Sequence, residues 1–145
     1  MKILIKTEVK QDYAQVFSGF NESLFSALAP PFPFLKVLRF DGCKKDDQVQ
    51  IELDFVIFRQ KWFALIVDFY QNSEEICFVD QGTVLPFFVK SWKHYHRILK
   101  TDLGSVVVDE IEFKTPFLLT DYLLYPLMYL QFLYRKPIYK RIFGG

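Results

Sequence analysis

Apolar and polar residues alternate most cleanly between Val49 and Phe58. Val49, Ile51, Leu53, Phe55 and Ile57 share one face of an extended segment, and Gln50, Glu52 and Asp54 share the other. That period predicts a strand with one dry and one wet face, as in an antiparallel sheet. Further strands are predicted over 2–9, 34–41, 62–70, from Glu75 to Asp80, and over 105–114, with turns at Asp41-Gly42, Gln60-Lys61, Gln71-Asn72-Ser73 and Lys100 to Gly104. Trp62 to Tyr70 is almost wholly apolar, which predicts cover on both faces. Two short helices are expected early. Tyr13, Val16, Phe17 and Phe20 form one apolar stripe after Asp12, and Asn21 is placed to cap a second helix with Leu24, Phe25 and Leu28 inward. Pro30, Pro31 and Pro33 forbid helix beyond that point.

The stretch Phe78 to Ile98 organises the rest. It begins as a strand, breaks at Thr83 to Pro86, and continues as a longer strand from Phe87 to Leu99. Within the second part Trp92, His94, His96 and Ile98 recur at period two and share one sheet face. Both histidines of the chain lie there. A simple hairpin through the Lys100–Gly104 turn sets His94 nearly opposite Asp109 on the same face, and a slip of one residue would reverse that placement. The tally is about seven antiparallel strands, two early helices and one long late helix, an α+β domain spanning 1–145.

The order Phe78, Asp80, Gln81, then Pro86-Phe87, Trp92, His94 and His96 resembles the F-x-D-x-Q…P-F…W-x-H-x-H signature of START-like (SRPBCC, birch-allergen-like) ligand-binding proteins. The likeness continues through Val107-Val108-Asp109, Pro116 and the apolar run from Phe117, so its elements cover nearly the whole chain. Leu85 and Phe117-Leu118 stand where that pattern carries glycines, which implies a differently shaped loop over the pocket mouth. The resemblance implies a helix-grip fold, a curved sheet wrapped around a long C-terminal helix. It also implies a pocket between the two for an apolar small molecule such as a lipid, quinone, isoprenoid or polyketide-like compound.

Composition narrows the classes further. Seventeen Phe in 145 residues can fill a core or wall a cavity. A net charge of +1 gives no nucleic-acid signature, and the six glycines form no phosphate loop or nucleotide fingerprint, so no cofactor is expected. Cys43 and Cys77 make neither a disulfide framework nor a metal spacing, and each is expected to fill a small apolar site. The opening MKILIKTEVK lacks a signal-peptide core, so a cytoplasmic protein is expected. Phe117 to Tyr134 approaches the ~20 apolar residues of a membrane span. Asp121 and Pro126 argue against spanning, and Pro126 and Pro137 predict kinks.

The candidate chemistry centres on His94, His96 and Asp109, with Trp92 as a wall. Three readings fit these residue types. They can form a polar network pinning two strands, a polar anchor for the head of an apolar ligand, or an acid–base pair in which His94 and Asp109 move a proton, as the resemblance to polyketide cyclase/dehydratases implies. No metal centre is expected, because no third histidine exists. Asp80 and Gln81 read as turn and hairpin residues ahead of the alternative, ligand contact. Phe55, Phe113, Leu127 and Met128 are further wall candidates, and Leu123, Leu127, Leu130 and Tyr134 are the expected inner face of the last helix. Its outer face suits a homodimer or transient membrane contact, with Arg135, Lys136, Lys140 and Arg141 meeting anionic head groups. A ligand-free scaffold is the remaining alternative.

Overall fold

Buried and exposed residues alternate at every step of β1 (Lys2–Val9), which sends Ile3, Ile5, Thr7 and Val9 into the core. In the computed structural model, which describes residues 1–145, two short helices follow, α1 (Tyr13–Ser18) and α2 (Glu22–Ala27). Asp12 accepts the Gln15 amide at 3.0 Å and Asn21 accepts the Leu24 amide at 2.9 Å, so both expected caps satisfy first-turn donors.

Six more strands complete one antiparallel sheet: β2 (Phe34–Phe40), β3 (Gln48–Asp54), β4 (Arg59–Gln71), β5 (Glu75–Val84), β6 (Ser91–Thr101) and β7 (Gly104–Lys114). Their order is β1-β7-β6-β5-β4-β3-β2, so each consecutive pair from β2 to β7 is a hairpin and β1 closes onto β7. Bulges at Val37/Arg39, Phe63/Ala64 and Ile66/Asp68 bend the sheet. Helices α3 (Leu118–Leu133) and α4 (Arg135–Phe143) lie at the end of the chain. One core cluster packs α4, α1 and α2 against Ile98 and Val107, and a second packs Met128 and Phe132 of α3 against β1, β6 and β7. The expected α+β architecture of seven strands and a long C-terminal helix is the one observed.

Several boundaries differ from the sequence reading. β5 runs to Val84, and β6 begins at Ser91 instead of Phe87, because a turn in which Val89 donates to the Pro86 carbonyl holds Phe87 and Phe88 outside the ladder. Ile57 lies in the β3–β4 turn and is exposed. β4 is only partly covered: Ala64 and Ile66 are buried, while most of its other residues are half-buried or exposed. Pro126 sits inside α3 without ending it. Its missing N–H would have met the carbonyl of exposed Tyr122, which solvent can satisfy. Pro137 lies in the first turn of α4, where a missing donor is tolerated, and the helix interrupts at Tyr134 just before it. No helix is long and apolar enough to cross a membrane.

The β3–β4 turn carries backbone strain. Val56 has φ of 76°, a left-handed conformation in which a β-branched side chain is costly, yet it is exposed. Val56→Asn is expected to raise stability by about 1 kcal/mol, about 3 °C in Tm by thermal denaturation. An unchanged or lower Tm would contradict the strain argument.

Candidate functional site

The concave face of the sheet presents Trp92, His94 and His96 from β6, Asp80 from β5 and Asp109 from β7. In register, His96 faces Asp109 and His94 faces Ile111, two residues from the expected pairing, because the β6–β7 turn is a tight one between Thr101 and Gly104. The parity holds, so all three side chains still meet. His94 reaches diagonally to Asp109, with Nε2 at 2.8 Å from Oδ1, and both are buried. With Asp109 ionised, His94 Nε2–H must be the donor, which fixes the tautomer. His96 Nε2 donates to Asp80 Oδ2 at 2.5 Å, and Trp92 Nε1 donates to Asp80 Oδ1 at 3.1 Å.

Asp80 is therefore a hub of the cluster and not the turn residue expected. Arg135, read as a surface cation, is the second addition. Its Nη1 lies 3.6 Å from Asp109 Oδ1, and its guanidinium sits 4.4 Å over the Phe132 ring. Tyr139, fully buried, packs beside them on α4.

Burial sets the electrostatics. It lowers the His94 pKa from 6.5 to about 4, and the neighbouring His96 adds to that, outweighing the carboxylates of Asp109 and Asp80. Burial works to raise both carboxyl groups. Hydrogen bonds from His96 to Asp80, and from His94 to Asp109 with help from Arg135, overcome it and hold both below the usual carboxylate range. Burial and the Asp109 charge push the Tyr139 hydroxyl up. His94 is thus neutral near pH 7, between two ionised carboxylates and one cation.

Asp80, His94 and His96 present potential ligand atoms within 4.8 Å of one another. The two imidazoles are stacked, however, with centroids 3.6 Å apart and planes tilted 31°. His94 Nδ1 and His96 Nε2 both face Asp80 Oδ2, at 3.6 Å and 2.5 Å, so that carboxylate oxygen occupies the point on which the two rings converge. Three polar atoms in and beside the cluster, His96 Nδ1, Asp109 Oδ2 and the Tyr139 hydroxyl, are buried without a hydrogen-bond partner. A network serving only to pin strands would be expected to satisfy its members.

Above this cluster opens a cavity of about 590 Å³ bounded by the sheet, α2 and α3, with 24 of its 33 lining residues hydrophobic. Trp92, His94, His96, Phe55, Leu127 and Met128 line it. Asp109 sits behind His94, outside the lining. Phe113 points to the same sheet face but is sealed into the core between β1, β7 and α3. The inner face of α3 is also corrected: Leu124, Met128, Phe132 and the adjoining Arg135 line the cavity, whereas Leu123 and Tyr134 do not and are exposed. The helix is apolar all round, so no stripe marked its inner face. Trp62 lines the cavity too, edge-on to Trp92 with centroids 4.7 Å apart. Cys43 lies in the wall with its thiol pushed up to about 12, chiefly by burial, so it is no nucleophile at neutral pH. Cys77 is buried in the sheet.

No family model and no curated protein matches this sequence. Solved structures do match it. Protein CV1439 from Chromobacterium violaceum superposes with a TM-score of 0.72 at 13% identity, covering 100% of this chain and 99% of that one. The Zhui aromatase/cyclase from Streptomyces sp. R1128 gives 0.69 at 11% identity, covering 94% and 89%. Norcoclaurine synthase from Thalictrum flavum gives 0.60 at 13%, covering 95% and 86%. The fold is the START-like helix grip. Within that helix grip, the polar cluster sits on the concave face beneath the junction of α3 and α4, at the floor of the cavity.

Proposed function

We propose that the protein binds an apolar small molecule in the cavity between sheet and α3, with one polar group of the ligand set against Trp92, His94, His96 and Arg135. The observation that carries this reading is the cavity itself: mostly apolar walls around a concentrated polar cluster, in which the lining residue His96 has a buried Nδ1 without a partner. Phe55, Leu127 and Met128 would contact the ligand body. Asp109 would act from behind, holding the tautomer and orientation of His94. Burial of the ligand would contribute roughly 25 cal/mol per Å² of apolar surface, less the cost of ordering.

Native mass spectrometry of the purified protein, followed by organic extraction, tests this reading. A stoichiometric apolar adduct is expected. Ala64 lies in the cavity wall on β4, so Ala64→Phe should fill the space, remove the adduct and leave the protein folded. A clean mass for the wild type, together with no uptake of a hydrophobic fluorophore that Ala64→Phe suppresses, would sink the proposal.

A second reading is a cyclase-like enzyme in which His94 and Asp109 transfer a proton. The 2.8 Å contact favours it, and an aromatase/cyclase shares the fold. A histidine titrating at about 4 is a weak base at neutral pH, which is why binding is placed first. His94→Ala separates the two. An enzyme would lose turnover and retain ligand, whereas a binding protein would lose part of its affinity.

A further inference from the structure

The exposed apolar residues are unevenly placed. The β3–β4 turn, the β5–β6 loop and the β7–α3 junction all lie at the same end of the sheet. They expose Val56, Ile57, Phe87, Phe117, Leu118 and Leu119, with Ile57 87% and Phe117 72% accessible. The three segments touch one another. The Phe87 amide donates to Gln60 Oε1 at 3.1 Å, Phe58 meets Phe87 at 5.9 Å between ring centroids, and the Lys90 amide donates to the Lys114 carbonyl at 2.7 Å. A contiguous apolar tip of this kind marks a contact surface.

Charge decides between occupants. At this end Asp54 is paired with Arg59 and Glu112 with Lys2, while Asp121, in the first turn of α3 and within the field of Lys114, is turned inward to accept the Thr115 amide at 2.5 Å. Lys90 and Lys114 are exposed and form no ion pair. Free cations beside protruding apolar side chains complement an anionic lipid surface, in which the side chains enter the acyl boundary while the lysines meet phosphate. A two-fold dimer through this tip would instead bring the unpaired lysines of two copies together. We infer that this end of the molecule docks on an anionic bilayer. The surface differs from the basic C-terminal stretch expected from sequence, where Arg135 is committed to Asp109.

The tip also joins the cavity. Phe55, a cavity wall residue, stacks on Phe58 with centroids 4.8 Å apart and meets Phe88, another wall residue, at 5.8 Å. Docking would therefore bring the cavity wall to the lipid boundary, though docking itself does not require a cavity ligand.

Vesicle co-sedimentation tests the inference with the full chain. Vesicles of phosphatidylcholine and phosphatidylglycerol in equal parts should retain the protein at low salt, and phosphatidylcholine alone should retain much less. Lys90→Gln and Lys114→Gln should each weaken partitioning about fivefold, the equivalent of about 1 kcal/mol per basic residue at an anionic surface. Ile57→Asp should abolish it while leaving Tm unchanged, since the side chain is almost wholly exposed. Ala64→Phe should bind vesicles like the wild type, which separates this surface from the cavity proposal. Absence of sedimentation at low salt, or sedimentation indifferent to lipid charge or to Ile57→Asp, would overturn the inference. So would a lipid-free dimer that Ile57→Asp dissociates, which would assign the tip to a second copy.

Discussion

Asp109→Ala is expected to lower the unfolding free energy by about 3–5 kcal/mol, the range seen when one partner of a buried ion pair is removed. Asp109 is 1% exposed and accepts from His94 at 2.8 Å, with Arg135 at 3.6 Å on the same oxygen. Truncation leaves the His94 N–H without an acceptor and the Arg135 guanidinium without its counter-charge, both inside the fold. Arg135 retains some access to the cavity, which places the loss toward the lower part of that range. Urea denaturation at pH 7 measures it. Adding Arg135→Met to Asp109→Ala should recover part of the loss, because the orphaned cation is then gone and a flexible apolar chain packs on Phe132. A single-mutant loss under about 1 kcal/mol, or a double mutant with simply additive losses, would show that the pair is not coupled.

What the sequence disclosed follows the range of each signal. The caps at Asp12 and Asn21 act over three residues, so they were legible. The shared face of Trp92, His94 and His96 follows from strand parity alone, and Asp109 met it because the observed pairing is shifted from the expected one by two residues, an even shift that keeps the face where a shift of one would have reversed it. Asp80 was obscured because its partners lie 12 and 16 residues on, across a loop whose length sets the register. Arg135 was misread because it begins a basic stretch. Only the placement of α4 under the sheet turns that one cation inward while Lys140 and Arg141 remain exposed. Phe113 had the right face and the wrong depth. Parity assigns a side, but packing by α3 and β1 decides whether that side is core or cavity wall. The apolar tip was hidden for a similar reason: Ile57 continues the alternation of β3 in sequence, whereas the chain has already turned.

Acid should unfold this protein earlier than its carboxylates alone would require. His94 titrates near its ordinary 6.5 in the unfolded chain and at about 4 in the fold, where burial and then the adjacent His96 disfavour the imidazolium. Between those values the unfolded state binds more protons than the native state, so stability falls as pH falls. The contribution is fully present above pH 6.5 and is exhausted near pH 4. The gap corresponds to about 3 kcal/mol, a large part of the stability of an ordinary domain. Asp80 and Asp109 are depressed below their usual range, so their contributions are intact through this window and are lost only as pH falls further. Of the other groups facing His94, Arg135 and Tyr139 on α4 keep their charge states throughout, since both are raised well above neutrality, and His96, stacked on it from β6, is common to the wild type and the variant compared below. Urea midpoints measured from pH 7 to pH 4 should therefore drop steadily in the wild type. In His94→Gln, which cannot titrate and retains an amide donor for Asp109, the curve should start lower and run much flatter. A wild-type profile level between pH 6.5 and pH 4.5, or a His94→Gln profile equally steep, would mean that His94 is not held neutral in the fold, and the case against its acting as a base near pH 7 would fall with it.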